Sequence, residues 1–399
     1  MNDNVKNIVL VIIAGIFVFG AFAVNLFTPD ETISISERRE LANLPTFSFT
    51  KIKENVDKII EKSGDEVSLI ETYIKQFDNE VESFTQNFEK YTLDHFVGRD
   101  AYRTLKAFVA FNIFNQSDNN KIYIADGHAS EYFDTLKEGD INAAIKAYNK
   151  LYEKFLKGMN VYYSIIPDKN YFIAEENGYP VVDYEQFEKM ITDGVNKNIK
   201  YIDIFDELTI DDYYKTDIHW RQENLDKVIN KLASNMNFKP YNNYTENELE
   251  GFYGVYYGQS ALPMTSETLK YYTADFMEDV TVKFFDTEEW KYVEKEMYDL
   301  EGYKGVDPYD IYLHGPEPAI VIENPNAASD KELILFRDSF GSSLAPLLIN
   351  GYKKITILDL RYMDTRLYTD EIVEFNKGQD VLIMNCTSVL NNASIFKVN

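Results

Sequence analysis

The chain has 399 residues, 45% hydrophobic and 27% charged, which excludes a disordered or low-complexity polymer and allows one large core or two modest ones. Its 66 acidic and 40 basic side chains give a formal net charge of −26, which repels phosphate backbones and argues against nucleic acid as a partner, while neutral ligands such as most sugars stay open. A single cysteine, Cys386, excludes an internal disulfide, and with only four histidines a Cys/His zinc site is not expected.

Residues 8–27 are apolar or small apart from Asn25, a run long enough to cross a bilayer as a helix. Lys6 and the terminal amine precede the run, while Asp30 and Glu31 follow it. This asymmetry predicts a cytoplasmic N-terminus and an extracytoplasmic remainder. The alternative is a cleaved signal peptide, because Ala21-Phe22-Ala23 fits a small-residue cleavage site; export is expected on either reading. Residues 36–47 read as a polar, extended segment. Residues 56–91 read as helical and surface-lying, and 102–111 as a further helix.

From residue 121 the pattern alternates between strand and helix. Residues 121–125 form a short strand ending at Asp126-Gly127. Ile141, Ala144, Ile145, Tyr148, Leu151, Tyr152 and Phe155 recur at helical spacing. The run 161–166 reads as a buried strand stopped by Pro167, 201–205 as another strand, and 223–232 as a helix. Residues 241–312, rich in Tyr, Asp and Glu with scattered glycines and short strands, read as an insertion or lid and not a separate domain. Strands are expected at 332–336, 355–358 and 381–384, with helices at 342–348 and 368–375. Such alternation predicts an α/β fold with a mostly parallel sheet and helices on both faces. The division expected is 1–30 as anchor or signal segment, 31–120 as a helical extension, and 121–399 as the α/β domain carrying the insertion.

Sites in such sheets lie outside the carboxyl ends of strands. Ser339, Asn385 and the Pro167-Asp168-Lys169 turn all fall there. Upstream, Asp217-Ile218-His219-Trp220 places an acid two residues from a histidine. In an activated-serine site, His219 would take the Ser339 proton while Asp217 held the imidazole in the right tautomer. Blander roles compete: Asp217 and Ser339 as helix caps, Trp220 as core packing, Asn385 as a turn residue. Asp338 is expected to order its loop, and Cys386 to be a buried small hydrophobe. No G-x-S-x-G surrounds Ser339, so the nucleophile elbow of α/β-hydrolases is absent.

The motifs S-E-R-R-E-L at 36–41, D-H-F-V-G-R-D at 94–100, I-I-P-D-K at 165–169, T-D-I-H-W at 216–220, F-R-D-S-F-G at 336–341 and L-D-L-R-Y at 358–362 run along most of the part beyond the apolar segment. Through them the chain resembles the DHHW family of bacterial exported proteins, related to alginate O-acetyltransferases of the AlgX/AlgJ kind. The resemblance implies an SGNH-hydrolase-like, flavodoxin-like fold in which Asp217, His219 and Ser339 form the triad. Arg337 stands where the G-D-S motif of SGNH hydrolases has glycine, so the oxyanion geometry is not carried over by the match. The backbone N–H of Ser339 and the Asn385 amide are candidate oxyanion donors, with Arg361 and Trp220 as further oxyanion or substrate candidates.

The implied activity is O-acetylation of an exopolysaccharide or cell-wall glycan through an acetyl-serine. No cofactor is implied; the acetyl donor would be a membrane acetyl-export partner of the MBOAT type. Two other readings share the same residues: an esterase that removes acetyl groups, and a non-catalytic glycan-binding component of an export complex.

Overall fold

The computed structural model describes the backbone of residues 3–34, 36–63 and 68–399; the side chains at 3, 4, 17, 18, 21, 22, 26 and 63 also lie outside the described set. The chain divides into two compact units, Met1–Val109 and Ala110–Asn399.

In the first unit, α1 (Asp3–Phe27) takes up the apolar run. Among the described residues no helix is long and apolar enough to cross a membrane, so the transmembrane helix expected here is not borne out. Two side chains of the alternative cleavage motif, Ala21 and Phe22, fall outside the described residues. A two-residue ribbon pairs β1 (Ile33–Ser34) with β2 (Arg39–Glu40). The helical stretch expected at 56–91 is two helices, α2 (Phe49–Ser63) and α3 (Leu69–Asp94), the second capped by Ser68. The next helix, α4, covers Arg99–Asn112.

The motifs at 36–41 and 94–100 meet in this unit. Arg39 bonds both oxygens of Asp94, Ala42 N–H donates to the same carboxylate at 2.8 Å, and Glu37 pairs with Arg99 and Arg103. The Arg39 hydrogen bond holds Asp94 down at about 2. These two motifs therefore have a structural role of their own.

The second unit begins with a hairpin, β3 (Ile122–Ala125) and β4 (His128–Glu131), turned through Asp126 (φ 49°) and Gly127 (φ 77°), both left-handed as a tight hairpin requires. β3 is the strand expected at 121–125, and among the described residues it pairs with β4 and not with the main sheet. Then come α5 (Glu138–Leu151), β5 (Asn160–Ile166), α6 (Asn170–Ile173), α7 (Tyr184–Gly194), β6 (Ile199–Tyr201) and α8 (Asp226–Met236). The 241–312 region holds the hairpin β7 (Thr245–Phe252) and β8 (Glu267–Thr273), with α9 (Val255–Ser260) between them, and then β9 (Thr281–Asp286) and β10 (Lys291–Glu294). The chain ends with β11 (Ala319–Glu323), β12 (Glu332–Arg337), α10 (Phe340–Leu348), β13 (Lys354–Leu358), β14 (Asp380–Cys386) and α11 (Thr387–Leu390).

Among the described residues the main sheet runs β10-β9-β11-β13-β12-β14-β5-β6. The stretch from β13 to β6 is parallel, and β11, β9 and β10 extend it antiparallel. The fold is thus a mixed α/β architecture with a large, mostly parallel sheet. Strand periodicity divides its side chains between two cores. Leu333, Leu335, Leu382 and Met384 pack on one face with Leu344 of α10 and Val228 of α8. Ile334, Phe336, Val381 and Ile383 pack on the other with Tyr148 of α5 and Phe187 of α7.

Two expectations need correction. The 241–312 region is not wholly an insertion, because β9 and β10 belong to the sheet. Residues 368–375 form no helix: Ile372 and Val373 are buried, and Tyr368 and Phe375 pack partly against the core, from turn and irregular backbone.

Candidate active site

β12 is buried on both faces and ends at Arg337, so Asp338 and Ser339 emerge at the carboxyl edge of the sheet as α10 begins. Ser339 has helical backbone angles (φ −59°, ψ −26°), and its side chain makes no capping bond to α10. Its hydroxyl instead meets His219 Nε2 at 2.7 Å. His219 Nδ1 lies 2.6 Å from Asp217 Oδ1, which also accepts the His219 backbone N–H at 3.0 Å. The sequence-predicted Asp217, His219 and Ser339 are thus one hydrogen-bonded chain. Asp217 is fully buried and His219 is 7% exposed. With Nδ1–H directed to a carboxylate, Nε2 is the acceptor for the serine proton.

The Asp217 carboxylate is gripped from the 241–312 region. Val255 N–H, at the start of α9, donates to Oδ2 at 2.8 Å, and Gly254 N–H donates to Thr216 Oγ1 at 2.9 Å. A Cβ at Gly254 would fall 2.2 Å from Thr216 O and 2.3 Å from Asp217 Cα, so only glycine allows this approach. The same region supplies Tyr309, whose ring stacks on His219 with centroids 3.8 Å apart and planes 5° apart. Tyr309 OH donates to Ser343 Oγ at 2.8 Å, and Trp220 Nε1–H donates to the same oxygen at 2.9 Å.

Below the site, Lys169 is buried, with Nζ donating to the carbonyls of Ala129, Tyr214 (2.8 Å), Lys215 (3.2 Å) and Asp217 (2.9 Å). Burial pushes this ammonium down to about 7, against the pull of Asp217 and Glu267. Glu267 accepts the Lys215 and Thr216 backbone N–H groups, each at 2.8 Å, and pairs with Arg221. The Asp-x-His segment is therefore pinned from both sides.

Asp338 orders its loop as expected: Oδ1 accepts Phe340 N–H at 3.1 Å and Oδ2 accepts Cys386 N–H at 2.6 Å. Arg337 is buried and donates to Gly315 O at 2.9 Å. Its guanidinium lies 3.7 Å from Asp359, and among the described residues its Nε has no hydrogen-bond partner. Burial pushes Arg337 below its ordinary value, against the attraction of Asp359. Gly341 makes room for it, since a Cβ there would sit 2.5 Å from Arg337 Cβ. Gly315 closes a run of left-handed residues, Leu313 (φ 54°), His314 (φ 55°) and Gly315 (φ 74°). Such a run is costly unless its surroundings hold it.

The remaining candidates divide. Arg361 leaves β13 beside β12 and fixes Asp359 through Nε (2.9 Å) and Nη2 (2.6 Å). Although burial opposes it, Asp359 raises this guanidinium above its ordinary value. Asn385 lies on the other face of the sheet from Met384 and Cys386, and its Oδ1 accepts Tyr148 OH at 2.8 Å. This bond orients the amide and uses its oxygen, not the Nδ2–H that an oxyanion donor would offer. Trp220 is fully buried and cannot stack on a sugar. Cys386 is a buried thiol, pushed up by burial. Sequence reasoning missed Tyr309, Val255 and Gly254, which reach the site from distant positions and carry no local pattern. The I-I-P-D-K motif did mark Lys169, but not its four carbonyl partners.

No family model matches the chain, and no curated protein matches it. Among solved structures it is similar to a DHHW family protein from Eubacterium siraeum DSM 15702, with a TM-score of 0.59 and 22% identity over 70% of this chain and 95% of that one. It is also similar to Bacillus cereus PatB1 carrying a sulfonyl adduct, with a TM-score of 0.52 and 22% identity over 67% of this chain and 97% of that one. A second PatB1 structure matches with a TM-score of 0.51 and 22% identity, over 67% of this chain and 96% of that one. At this identity the likeness is one of fold.

Proposed function

We propose that the chain is an acyltransferase with an SGNH-hydrolase-like domain, which O-acetylates hydroxyls of an exopolysaccharide or cell-wall glycan outside the cytoplasm. The observation that carries this reading is the continuous Asp217–His219–Ser339 chain, at 2.6 and 2.7 Å, at the carboxyl edge of a parallel sheet. The sulfonyl adduct in the PatB1 structure agrees with a reactive nucleophile in a protein of this fold.

In the proposed reaction Ser339 Oγ attacks the acetyl carbonyl of a donor while His219 Nε2 takes the hydroxyl proton. Asp217 stabilises the imidazolium that forms. The tetrahedral intermediate collapses, His219 returns the proton to the leaving group, and the acetyl group stays on Ser339. A sugar hydroxyl then attacks, again losing its proton to His219, which passes it to Ser339 Oγ as the ester leaves. Transfer in place of hydrolysis requires the sugar hydroxyl to be positioned better than water. A membrane acetyl-export protein is the proposed donor.

Point replacement of Ser339 by alanine at the native locus tests the reading. Surface polymer is expected to be made in normal amount with less O-acetyl ester. Increased acetylation would assign the esterase reaction instead, and loss of the polymer itself would assign a scaffold role.

A further inference from the structure

A cleft of about 800 Å3 opens in the second unit between the β8 end, the 275–278 turn and the 296–301 segment, and Ser339 does not line it. Its volume lies within the roughly 300–1,000 Å3 typical of small-ligand sites. Tyr271 and Tyr298 form an aromatic corner in it, ring centroids 4.8 Å apart. The back wall is shared with the candidate active site. Asp299 N–H donates to Ile311 O at 2.9 Å, Leu313 N–H donates to Met297 O at 3.1 Å, and Tyr298 bridges to Tyr312. That backing segment carries Tyr309, stacked on His219, and Gly315, whose carbonyl holds Arg337. His314 lines the cleft directly, and its Nε2–H donates to Glu296 O at 2.9 Å.

The cleft has one sign of charge. Asp275, Glu278, Glu296, Asp299 and Glu301 line it, and neither lysine nor arginine does. Among the described residues no group of His, Cys, Asp and Glu converges as a metal site would, so these carboxylates are spread along the cleft. Spread carboxylates focus a negative potential over the length of a cleft. Tyrosine faces add attraction for ammonium groups and flat packing for sugar rings.

From this juxtaposition we propose that the cleft binds the acceptor glycan through sugars bearing protonated amines, beside the wall that touches His219. The proposal rests on the acyl-transfer reading for its acceptor, but binding can be measured without turnover. Glucosamine oligomers and fully N-acetylated oligomers of the same length are titrated into the full chain by calorimetry. The amine form is expected to bind at least tenfold more tightly, to weaken at least tenfold in Glu278→Gln/Glu301→Gln, and to bind Ser339→Ala as it binds wild type. The exposed pair Glu288→Gln/Glu289→Gln, outside the cleft, is the control for the overall negative charge and is expected to leave affinity within about twofold. Equal binding of the two oligomers, equal weakening by both double variants, or no binding overturns the cleft assignment. An acylated Ser339 with no amine-sugar binding removes this proposal alone; amine-sugar binding with no acylation removes the enzymatic reading and leaves a glycan-binding cleft.

Discussion

The ring of Tyr309 lies flat on the imidazole of His219, 3.8 Å away, and its hydroxyl is fixed by Ser343. The two residues lie far apart in sequence, and the stack joins the Tyr-rich region to the base of the candidate triad. An aromatic stack is worth about 0.5–1.5 kcal/mol beyond burial, a factor of roughly 2–10 in rate if it is made in the transition state. Tyr309→Leu is expected to slow acylation of Ser339 by that factor, and Tyr309→Phe, which keeps the ring, to recover most of it. Stopped-flow release of nitrophenolate measures both.

Gly254→Ala probes the grip on Asp217. The added methyl would fall 2.2 Å from Thr216 O, and overpacking of this kind costs about 1–3 kcal/mol. Displacement of α9 would also withdraw Val255 N–H from the carboxylate. The expected result is a greater loss of acylation rate than of stability, read as burst rate against Tm.

Lys169→Met leaves four carbonyl acceptors without the ammonium that joins them. Unpaired buried polar groups cost about 1–3 kcal/mol each, so a clear fall in Tm is expected. Lys169→Arg should not restore it, because the planar fork cannot reproduce a compact point donor in that space.

His128 sets an acid limb of stability. Burial, followed by the charge of Lys169, lowers it from 6.5 to about 4, against its contact with Asp126 O. Between these values the unfolded chain binds a proton that the folded chain does not, so stability falls as pH drops from about 6.5 toward 4. Lys215 and Glu267 also act on this imidazole, with opposite signs. In His128→Gln the Tm is expected to fall less steeply over that window than in wild type.

The strands that position the site were legible because they are buried on both faces and read as unbroken apolar runs, as in 161–166, 332–336 and 381–384. That β9 and β10 join the main sheet was not legible, because Lys283 and Glu294 interrupt their apolar residues and β10 lies at the sheet edge. The Asp-x-His spacing and the strand-end serine were local features, and the structure brings them together. The orientation of Asn385 was not legible, because parity along β14 decides its face, and one residue of alternation turns the amide oxygen toward Tyr148. Val255 and Tyr309 could not be found from sequence, since contacts across such separations are set by tertiary packing.

Acylation of Ser339 is the most direct test of the central claim. The full chain is mixed with p-nitrophenyl acetate, quenched in acid and digested, and the peptides are weighed. One acetyl group is expected on the peptide that carries Ser339, none in Ser339→Ala, and strongly reduced labelling in His219→Ala and in Asp217→Ala. Labelling that persists in Ser339→Ala, or that maps to a different side chain in wild type, would contradict the assignment of Ser339 as the nucleophile.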